Sequence, residues 1–269
     1  MYQEPGNESY GLEEQHEALL KALEKFDELC RNNDIKYSLY GGTMLGAERY
    51  QRFVPWDDDA DICMTREHYE QLCDVVQNDQ SGKFYIDHEK LWVSRFICDT
   101  DDRVAFVDIF IWDYISEVSW QKSLKISLLR LMQGMMKLKV DYQRYKGAYK
   151  IILFVSYNAG RIFSHHFKAK VYDFISRNCF IGKKKYIHCS NEMFKGVGYI
   201  FDRGYMSEYI DVEFADHQFM TTKRYKEVLL KYFGDDYMTP PPMEKRKPTH
   251  QGYIKMLNER KNSGIIKEK

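Results

Sequence analysis

Four aspartates occupy positions 57, 58, 59 and 61, in the stretch "PWDDDADICM" that runs from Pro55 into an apolar segment. Carboxylates this close repel one another, which costs stability and raises some of their pKa values. Exposure to water, pairing with Lys or Arg, or a divalent cation would each remove that cost. Asp59 and Asp61 alternate with Ala60 and Ile62, and in a strand this period directs both carboxylates to one face. The pattern therefore predicts two oxygen ligands that converge on one point.

A third carboxylate, Asp108, interrupts "RVAFVDIFIWDYI", residues 103–115, which is the clearest buried strand in the chain. An isolated charge in a buried strand needs a partner. Arg95 or Arg103 could be that partner in a structural salt bridge. If Asp108 instead lies beside Asp59 and Asp61, the three aspartates meet around one or two metal ions. Hard oxygen ligands of this kind suit magnesium, with manganese as the alternative.

A glycine pair precedes the aspartates. Gly41 and Gly42 follow the short strand pattern "IKYSLY" and precede "TMLGAERYQ", which predicts a helix that begins at Thr43 and is capped by its side chain. Backbone N–H groups at a helix start can bind phosphate oxygens. A lone glycine pair is usually only a turn. Combined with the Asp-x-Asp pattern and Asp108, it indicates metal-dependent phosphoryl or nucleotidyl transfer.

Charge and cysteine content narrow the class of protein. Lys plus Arg and Asp plus Glu both number 40, so the chain lacks the basic excess of a general nucleic-acid binder, and we expect no nucleic-acid partner. The six cysteines include no CxxC pair, which is typical of reduced thiols in a cytosolic protein. Neither a signal-peptide pattern nor an apolar run of membrane-spanning length occurs. We expect a cytoplasmic protein, with a peripheral location at the inner face of a membrane as a further possibility.

The segment 120–185, called here the basic aromatic segment, differs from its surroundings. It combines long helical patterns such as "SLKISLLRLMQGMMKL" with basic and aromatic residues. Its helices could be plain core with a solvated face, or they could contact an anionic membrane surface that presents a lipid-linked glycan. Towards the end of the chain, "KRYKEVLLKYFG" predicts a helix ended by Gly234, and the last fifteen residues predict a peripheral helix.

Three segments together resemble the LicD family, which includes bacterial phosphocholine transferases and fukutin-type sugar-phosphate transferases. "YGGTMLGAERYQRFVPWDDDADICM" is similar to the family's signature, "FVDIFIWDYI" to its second acidic strand, and "YKEVLLKYFGDDYMTPPPMEKRKPTH" to its C-terminal block. They cover about a quarter of the chain in matching order. One departure is Tyr50-Gln51-Arg52, where family members often have His-Lys-Gly, so a basic contact is lost or moved to Arg52.

The resemblance implies an α/β (α+β) fold, with a small mixed sheet of the nucleotidyltransferase type and a large helical insert. We predict a catalytic core with its N-terminal helix at 1–118, a basic and aromatic helical insert at 119–195, and a C-terminal segment that completes the active site at 196–269.

The resemblance also assigns residues. It implies that the catalytic metal ligands are Asp59, Asp61 and Asp108. It implies that the donor phosphates are approached by Gly41, Gly42, Thr43, Lys245, Arg246 and His250. Other candidates come from the sequence itself. Arg49 and Arg52 either balance the aspartates or hold donor phosphate, Arg95 could face the same site, and Asp57 either supports the metal or serves a turn.

These assignments predict an enzyme that transfers phosphocholine from CDP-choline to a hydroxyl of a cell-surface or lipid-linked glycan, such as lipopolysaccharide, teichoic acid or capsule. Asp108 could also accept the proton of the attacking hydroxyl. Two alternatives stay open. One is the same chemistry with a CDP-alditol or a nucleotide-linked sugar phosphate as donor. The other is an inactive relative that binds a glycan or nucleotide.

Overall fold

The computed structural model describes residues 10–87, 92–99, 103–144 and 146–262, which form a mixed α/β architecture. Its α-helices are α1 Glu13–Asn32, α2 Gly41–Tyr50, α3 Arg66–Asn78, α4 Ser119–Met136, α5 Gly147–Gly160, α6 His165–Asn178, α7 Tyr225–Phe233 and α8 Gln251–Asn262. Its strands are β1 Ser38–Leu39, β2 Asp61–Thr65, β3 Phe84–Asp87, β4 Ser94–Asp99, β5 Val104–Ile115, β6 Tyr186–Cys189, β7 Ile200–Asp202, β8 Tyr209–Phe214 and β9 His217–Thr222. The expected fold class is confirmed.

The described residues divide into two compact units. The first comprises 10–86, 95–109 and 206–262, and the second comprises 87–94 and 110–205 with the gaps given above. The second unit contains α4, α5 and α6, which confirms the helical patterns expected in the basic aromatic segment. None of the described helices has the length and apolar character needed to cross a membrane.

The first unit is built on the strand order β1-β2-β5-β4-β3, to which β5 contributes its first half. β1 and β2 are antiparallel, with Ser38 opposite Cys63. The amphipathic helix α1 buries Leu19, Leu23 and Phe26 completely. The ring of Phe26 contacts Phe96 of β4 edge-on at 5.3 Å between centroids. This packing fixes the strands that carry the acidic residues.

The C-terminal helix α8 is part of this core, which corrects the expected peripheral position. Ile254 and Leu257 are buried against Ile97, Val104 and Phe106 of β4 and β5. The apolar spacing of these two residues, three apart, places both on one helix face. The chain therefore enters α8 directly beside β5. Residues after 262 lie outside the described part of the chain.

Two other boundaries differ from the predicted ones. Helix α2 begins at Gly41 with Tyr40 as its N-cap, so Thr43 lies inside the helix and does not cap it. Strand β2 begins at Asp61, so Asp59 precedes the strand that was expected to contain it. Thr65, in contrast, caps α3 by accepting a hydrogen bond from the His68 backbone. Gly234 ends α7, which confirms that prediction.

In the second unit, α4 packs against both α5 and α6. Leu129 and Met132 of α4 share a buried cluster with Tyr172 and Ile175 of α6. The last residues of β5 pair antiparallel with β6, and β6 pairs antiparallel with β7. The side chain of Lys168 is buried and donates from Nζ to the carbonyls of Met135 and Gly160, near the ends of α4 and α5. A cation there is stabilised by the negative ends of both helix dipoles.

Candidate metal and donor-binding site

The candidate site forms where the segment before β2 passes between the start of α2 and the middle of β5. The Tyr40 backbone N–H donates to the carbonyl of Asp61 at 3.0 Å, and the Asp108 N–H donates to the carbonyl of Ala60 at 2.8 Å. Backbone pairing on both sides holds this segment in place. The residues that flank Ala60 therefore meet the side chain of Asp108, which comes from a distant part of the sequence.

The carboxylates of Asp59, Asp61 and Asp108 converge there. Each offers one oxygen, and these oxygens all lie within 4.8 Å of one another. Asp59 and Asp108 are buried, and Asp61 is half-buried. Three hard oxygen donors at this separation suit a divalent cation such as magnesium, which completes its coordination with water and substrate oxygens. The predicted meeting of the three side chains is observed, and their role as ligands stays a prediction.

Arg95 enters the same cluster from β4. Its Nε donates to Asp108 Oδ1 at 2.6 Å, and both side chains are buried. The guanidinium also lies 4.7 Å from the ring centre of Phe106. The two roles considered for Asp108, salt bridge and member of the acidic cluster, are thus both present. Arg103, the other partner considered, pairs with Glu14 instead.

Burial determines the electrostatics of Asp108. The loss of solvation raises the pKa of its carboxyl above the ordinary value, the charge and hydrogen bond of Arg95 oppose that rise, and the nearby carboxylate of Asp59 adds to it. A second positive charge in the cluster would stabilise the ionised form further.

Gly41 and Gly42 lie so close to aspartate carboxylates that neither position has room for a side chain. The Gly42 N–H donates to Asp61 Oδ2 at 3.1 Å, and the Asp61 N–H donates to Thr43 Oγ1 at 2.8 Å. A Cβ atom at Gly41 would overlap the Asp61 carboxylate, and Gly41 also has a positive φ of +49°. A Cβ at Gly42 would overlap the carboxylate of Asp57. These three α2 residues position the acidic segment; their predicted approach to donor phosphates is untested.

Asp57 lies beside the cluster and has a strongly perturbed carboxyl group. Burial raises the pKa of its carboxyl well above the ordinary value, and the charge of Asp59, with which it shares a hydrogen bond, raises it further. Its backbone carbonyl lies 2.7 Å from His16 Nε2, so α1 supports the acidic segment through this hydrogen bond. Sequence reasoning missed His16, because nothing in the pattern of α1 distinguishes it from an ordinary polar residue.

Asp58 anchors the C-terminal loop to the cluster. It is fully buried, and its two oxygens accept hydrogen bonds from the backbone N–H groups of Thr249 and His250, at 2.9 and 2.8 Å. The imidazole of His250 then lies 3.0 Å from Asp59 Oδ2 and 3.4 Å from Asp58 Oδ1. Asp58, Asp59 and His250 form a second group with metal-ligand separations. His250 was predicted for the site, whereas the anchoring role of Asp58 was not.

The segment that contains the three clustered aspartates and Arg95 is similar to a known protein family. Residues 34–128 match the family profile of the LicD/FKTN/FKRP nucleotidyltransferase domain. This segment of the chain matches the LicD domain. Its match includes Asp59, Asp61, Asp108 and Arg95, while His16 and His250 lie outside it.

Full-length similarity extends further than the LicD domain. The chain is 29% identical over 268 residues to the lipopolysaccharide cholinephosphotransferase LicD of Haemophilus influenzae, an alignment that covers 90% of this chain and 98% of that protein. Uncharacterized proteins of Rickettsia typhi and Rickettsia prowazekii are 38% and 31% identical over 98 and 94 residues, about 35% of this chain. Those alignments cover 28% and 33% of the two rickettsial proteins.

A cavity of about 750 Å³ opens beside the LicD acidic segment. The loop that supplies Asp57 to the cluster supplies residues 51–53, Pro55 and Trp56 to the cavity wall. Three of the predicted donor-binding arginines line it: Arg49, Arg52 and Arg246. The structure therefore places Arg95 and His250 with the acidic cluster, and Arg49, Arg52 and Arg246 at the wall of a neighbouring cavity.

Arg49 is buried in the cavity wall. Its Nη2 donates to the carbonyl of Tyr237, and its Nε and Nη1 have no hydrogen-bond partner among the described residues. A buried guanidinium with two unused donors is costly unless a ligand or water accepts from it. Arg52 is exposed. Lys245 is exposed on a short 3₁₀ turn, Met243–Lys245, and is not among the described residues that line the cavity.

Aromatic rings form another part of the cavity wall. The Trp56 ring contacts Tyr10 and Tyr50 at centroid distances of 5.9 and 6.4 Å. The guanidinium of Arg246 lies 5.0 Å above Trp56, and its Nε donates to the carbonyl of Pro241. A cation–π contact thus already forms on Trp56. The cavity offers both guanidinium donors for an anion and aromatic faces for a cation.

Proposed function

We propose that this protein is a metal-dependent transferase that moves phosphocholine from CDP-choline to a hydroxyl of a lipopolysaccharide-type glycan. The observation that carries the proposal is the convergence of Asp59, Asp61 and Asp108 within a LicD domain. Support for the transferred group comes from the cholinephosphotransferase of Haemophilus influenzae, to which nearly the whole chain aligns. The carboxylate arrangement alone would also suit another nucleotide-linked donor, such as a CDP-alditol.

Magnesium or manganese is the cofactor that fits this donor set. Asp59, Asp61 and Asp108 would hold the ion, because they offer three closely spaced carboxylate oxygens and no soft sulfur ligand. When bound, the ion would neutralise the diphosphate of the donor and the charge that develops on the leaving CMP. The partial exposure of Asp61 leaves a side of the cluster accessible to substrate oxygens.

The chain's own residues would orient the reacting groups. The hydroxyl oxygen of the glycan attacks the phosphorus that carries choline, an oxygen–phosphorus bond forms, and the phosphorus–oxygen bond to CMP breaks. The hydroxyl proton passes to a nearby base. Asp108 has a raised pKa, which favours proton acceptance, and the His250 imidazole beside Asp59 is a second candidate. Arg95 holds the Asp108 carboxylate in position for this role.

The neighbouring cavity would bind the part of the donor that is transferred. Nε and Nη1 of the buried Arg49, which have no hydrogen-bond partner in the described part of the chain, would donate to phosphate oxygens. Its aromatic wall at Trp56, Tyr10 and Tyr50 suits a quaternary ammonium group, which is bound by aromatic faces in other proteins. Arg246 would move off Trp56 when choline enters, because one ring face accepts one cation.

CMP release from CDP-choline tests the proposal. With magnesium and a lipopolysaccharide acceptor, the full chain should release CMP, and phosphocholine should appear on the glycan by mass spectrometry. Asp59→Asn should reduce the rate roughly a hundredfold or more, the scale expected when a few kcal/mol of transition-state stabilisation are lost. Asp74→Asn, at an exposed position of α3, is the matched control and should leave the rate unchanged.

Different failures have different meanings. If CDP-ribitol or CDP-glycerol is turned over and CDP-choline is not, the donor assignment is wrong and the chemistry stands. If CDP-choline binds in the presence of magnesium, but neither it nor CDP-ribitol nor CDP-glycerol is cleaved when an acceptor is supplied, the protein is an inactive relative and the enzyme proposal is wrong.

A further inference from the structure

The outer face of α5 is apolar and exposed, although a soluble helix normally turns such residues inward. Six large apolar side chains along α5 and the turn that follows it are between 43% and 80% exposed: Ile151, Ile152, Phe154, Val155, Ile162 and Phe163. We call this set the α5 apolar face. Contiguous apolar surface of this kind marks a site that another phase or partner covers.

The opposite side of α5 is already packed. Leu153 and Ser156 are buried, and a Cβ atom at Gly134 of α4 would overlap the Ser156 hydroxyl. A Cβ at Gly160 would overlap the backbone of Met135. Helices α4 and α5 therefore approach as closely as their glycines allow. The α5 apolar face points away from the core of its own unit, and a small rotation of the helix could not bury it.

Charge indicates what covers this face. The basic aromatic segment, 120–185, contains 15 Lys and Arg residues against two Asp and Glu, a net charge of +13, and the neutral chain as a whole leaves −13 for the rest. Between the start of α5 and the end of α6 the only acidic residue is Asp173, and it pairs with Arg177. Exposed cations, including Lys150, Arg161 and Lys170, flank the apolar residues.

We propose that the α5 apolar face inserts into the interfacial region of an anionic lipid bilayer, with the surrounding cations on the lipid headgroups. A helix with apolar residues on its outer face and cations at the border binds a membrane surface in this way. The helix has 14 residues and does not span. A second copy would bring one basic aromatic segment of net charge +13 against an equal one, and a nucleic acid would accept the cations but not exposed Ile and Val side chains.

Vesicle binding tests this surface. The full chain should co-sediment with phosphatidylcholine vesicles that contain phosphatidylglycerol and bind far less to phosphatidylcholine alone, and salt should weaken the binding. Ile151→Ser combined with Val155→Ser should weaken binding roughly a hundredfold, about tenfold for each apolar side chain removed from lipid. Leu230→Ser, at an exposed position of α7 in the other unit, is the matched control and should bind as the wild type does.

The inference would be wrong if the wild type did not bind anionic vesicles, or if the double variant bound them as strongly as the wild type. It would also be wrong if neither protein bound lipid and the double substitution converted a wild-type dimer to monomers. The thermal unfolding of the double variant should match the wild type, because both positions are exposed. Its CMP release with a water-soluble acceptor should also be unchanged. Loss of vesicle binding is thereby distinguished from failure of the proposed transferase function, on which this inference does not depend.

Discussion

The backbone N–H of His250 donates to Asp58 Oδ2 at 2.8 Å, although 192 residues separate the two in the chain. The same loop donates a second hydrogen bond from Thr249 to the other oxygen of Asp58. Both oxygens of this buried carboxylate therefore have a hydrogen-bond donor. This contact places the imidazole of His250 beside Asp59 and makes the C-terminal loop a part of the acidic cluster.

Asp58→Asn should loosen this loop. The amide keeps one acceptor oxygen and turns an N–H₂ group towards a backbone N–H, which leaves a buried donor unsatisfied. We expect the free energy of unfolding to fall by about 2 kcal/mol in urea denaturation. CMP release should fall about as far as in His250→Ala, and the double variant should lose little more, because both changes displace the same imidazole. Full activity of Asp58→Asn would contradict the positioning role.

Arg95→Met should make the protein depend on magnesium for stability. Without the guanidinium, the buried Asp108 carboxylate lacks its cation partner, and we expect a loss of about 3 kcal/mol in the free energy of unfolding without metal. Magnesium should restore more stability to this variant than it adds to the wild type, as measured by thermal unfolding with and without the ion. Arg31→Met removes partly exposed ion pairs with Asp27 and Asp211 and is the control. Equal stabilisation of all three proteins by magnesium would show that the ion does not contact Asp108.

Gly41→Ala should damage the site rather than the fold alone. Its φ of +49° disfavours any side chain, and the new methyl group overlaps the Asp61 carboxylate. We expect at least a tenfold loss of CMP release, on the order of 1.4 kcal/mol or more in transition-state stabilisation. Gly82→Ala is matched in backbone geometry, with φ of +65°, but its methyl group would enter open space. It should cost about 1 kcal/mol of stability and leave activity unchanged, so equal activity losses in both variants would contradict the prediction.

His188 should make the protein less stable in acid. It is fully buried, its Nδ1–H donates to the carbonyl of Val197, and burial together with the charge of Lys125 lowers its pKa from 6.5 to about 4. The folded state therefore keeps this imidazole neutral, and its contribution to stability is present above pH 6.5 and is lost as the pH falls towards 4. The shift corresponds to roughly 3 kcal/mol.

Urea denaturation between pH 7 and pH 4 measures this effect. The free energy of unfolding should fall more steeply for the wild type than for His188→Gln, which cannot take up a proton. Parallel pH profiles for the two proteins would contradict the prediction. They would show that the pKa of His188 is the same in the folded and the unfolded protein.

Local pattern was sufficient for much of the architecture. The apolar run around Asp108 predicted β5, and the pattern before Gly234 predicted α7 and its end. Elements of this kind depend on interactions between residues a few positions apart, which sequence displays directly. The start of α2 was wrong by two residues, because the hydroxyl of Thr43 bonds to Asp61 across the fold rather than to its own helix.

By itself, the sequence paired Asp59 with Asp61 through their two-residue spacing, and its resemblance to the LicD family added Asp108 to the same predicted site. Only the tertiary structure decided that Arg95 joins Asp108 inside that site, that Asp58 holds the loop of His250, and that the outer face of α5 stays uncovered. Each of these depends on which distant backbones pack together, and the burial that makes such contacts strong exists only after the chain has folded.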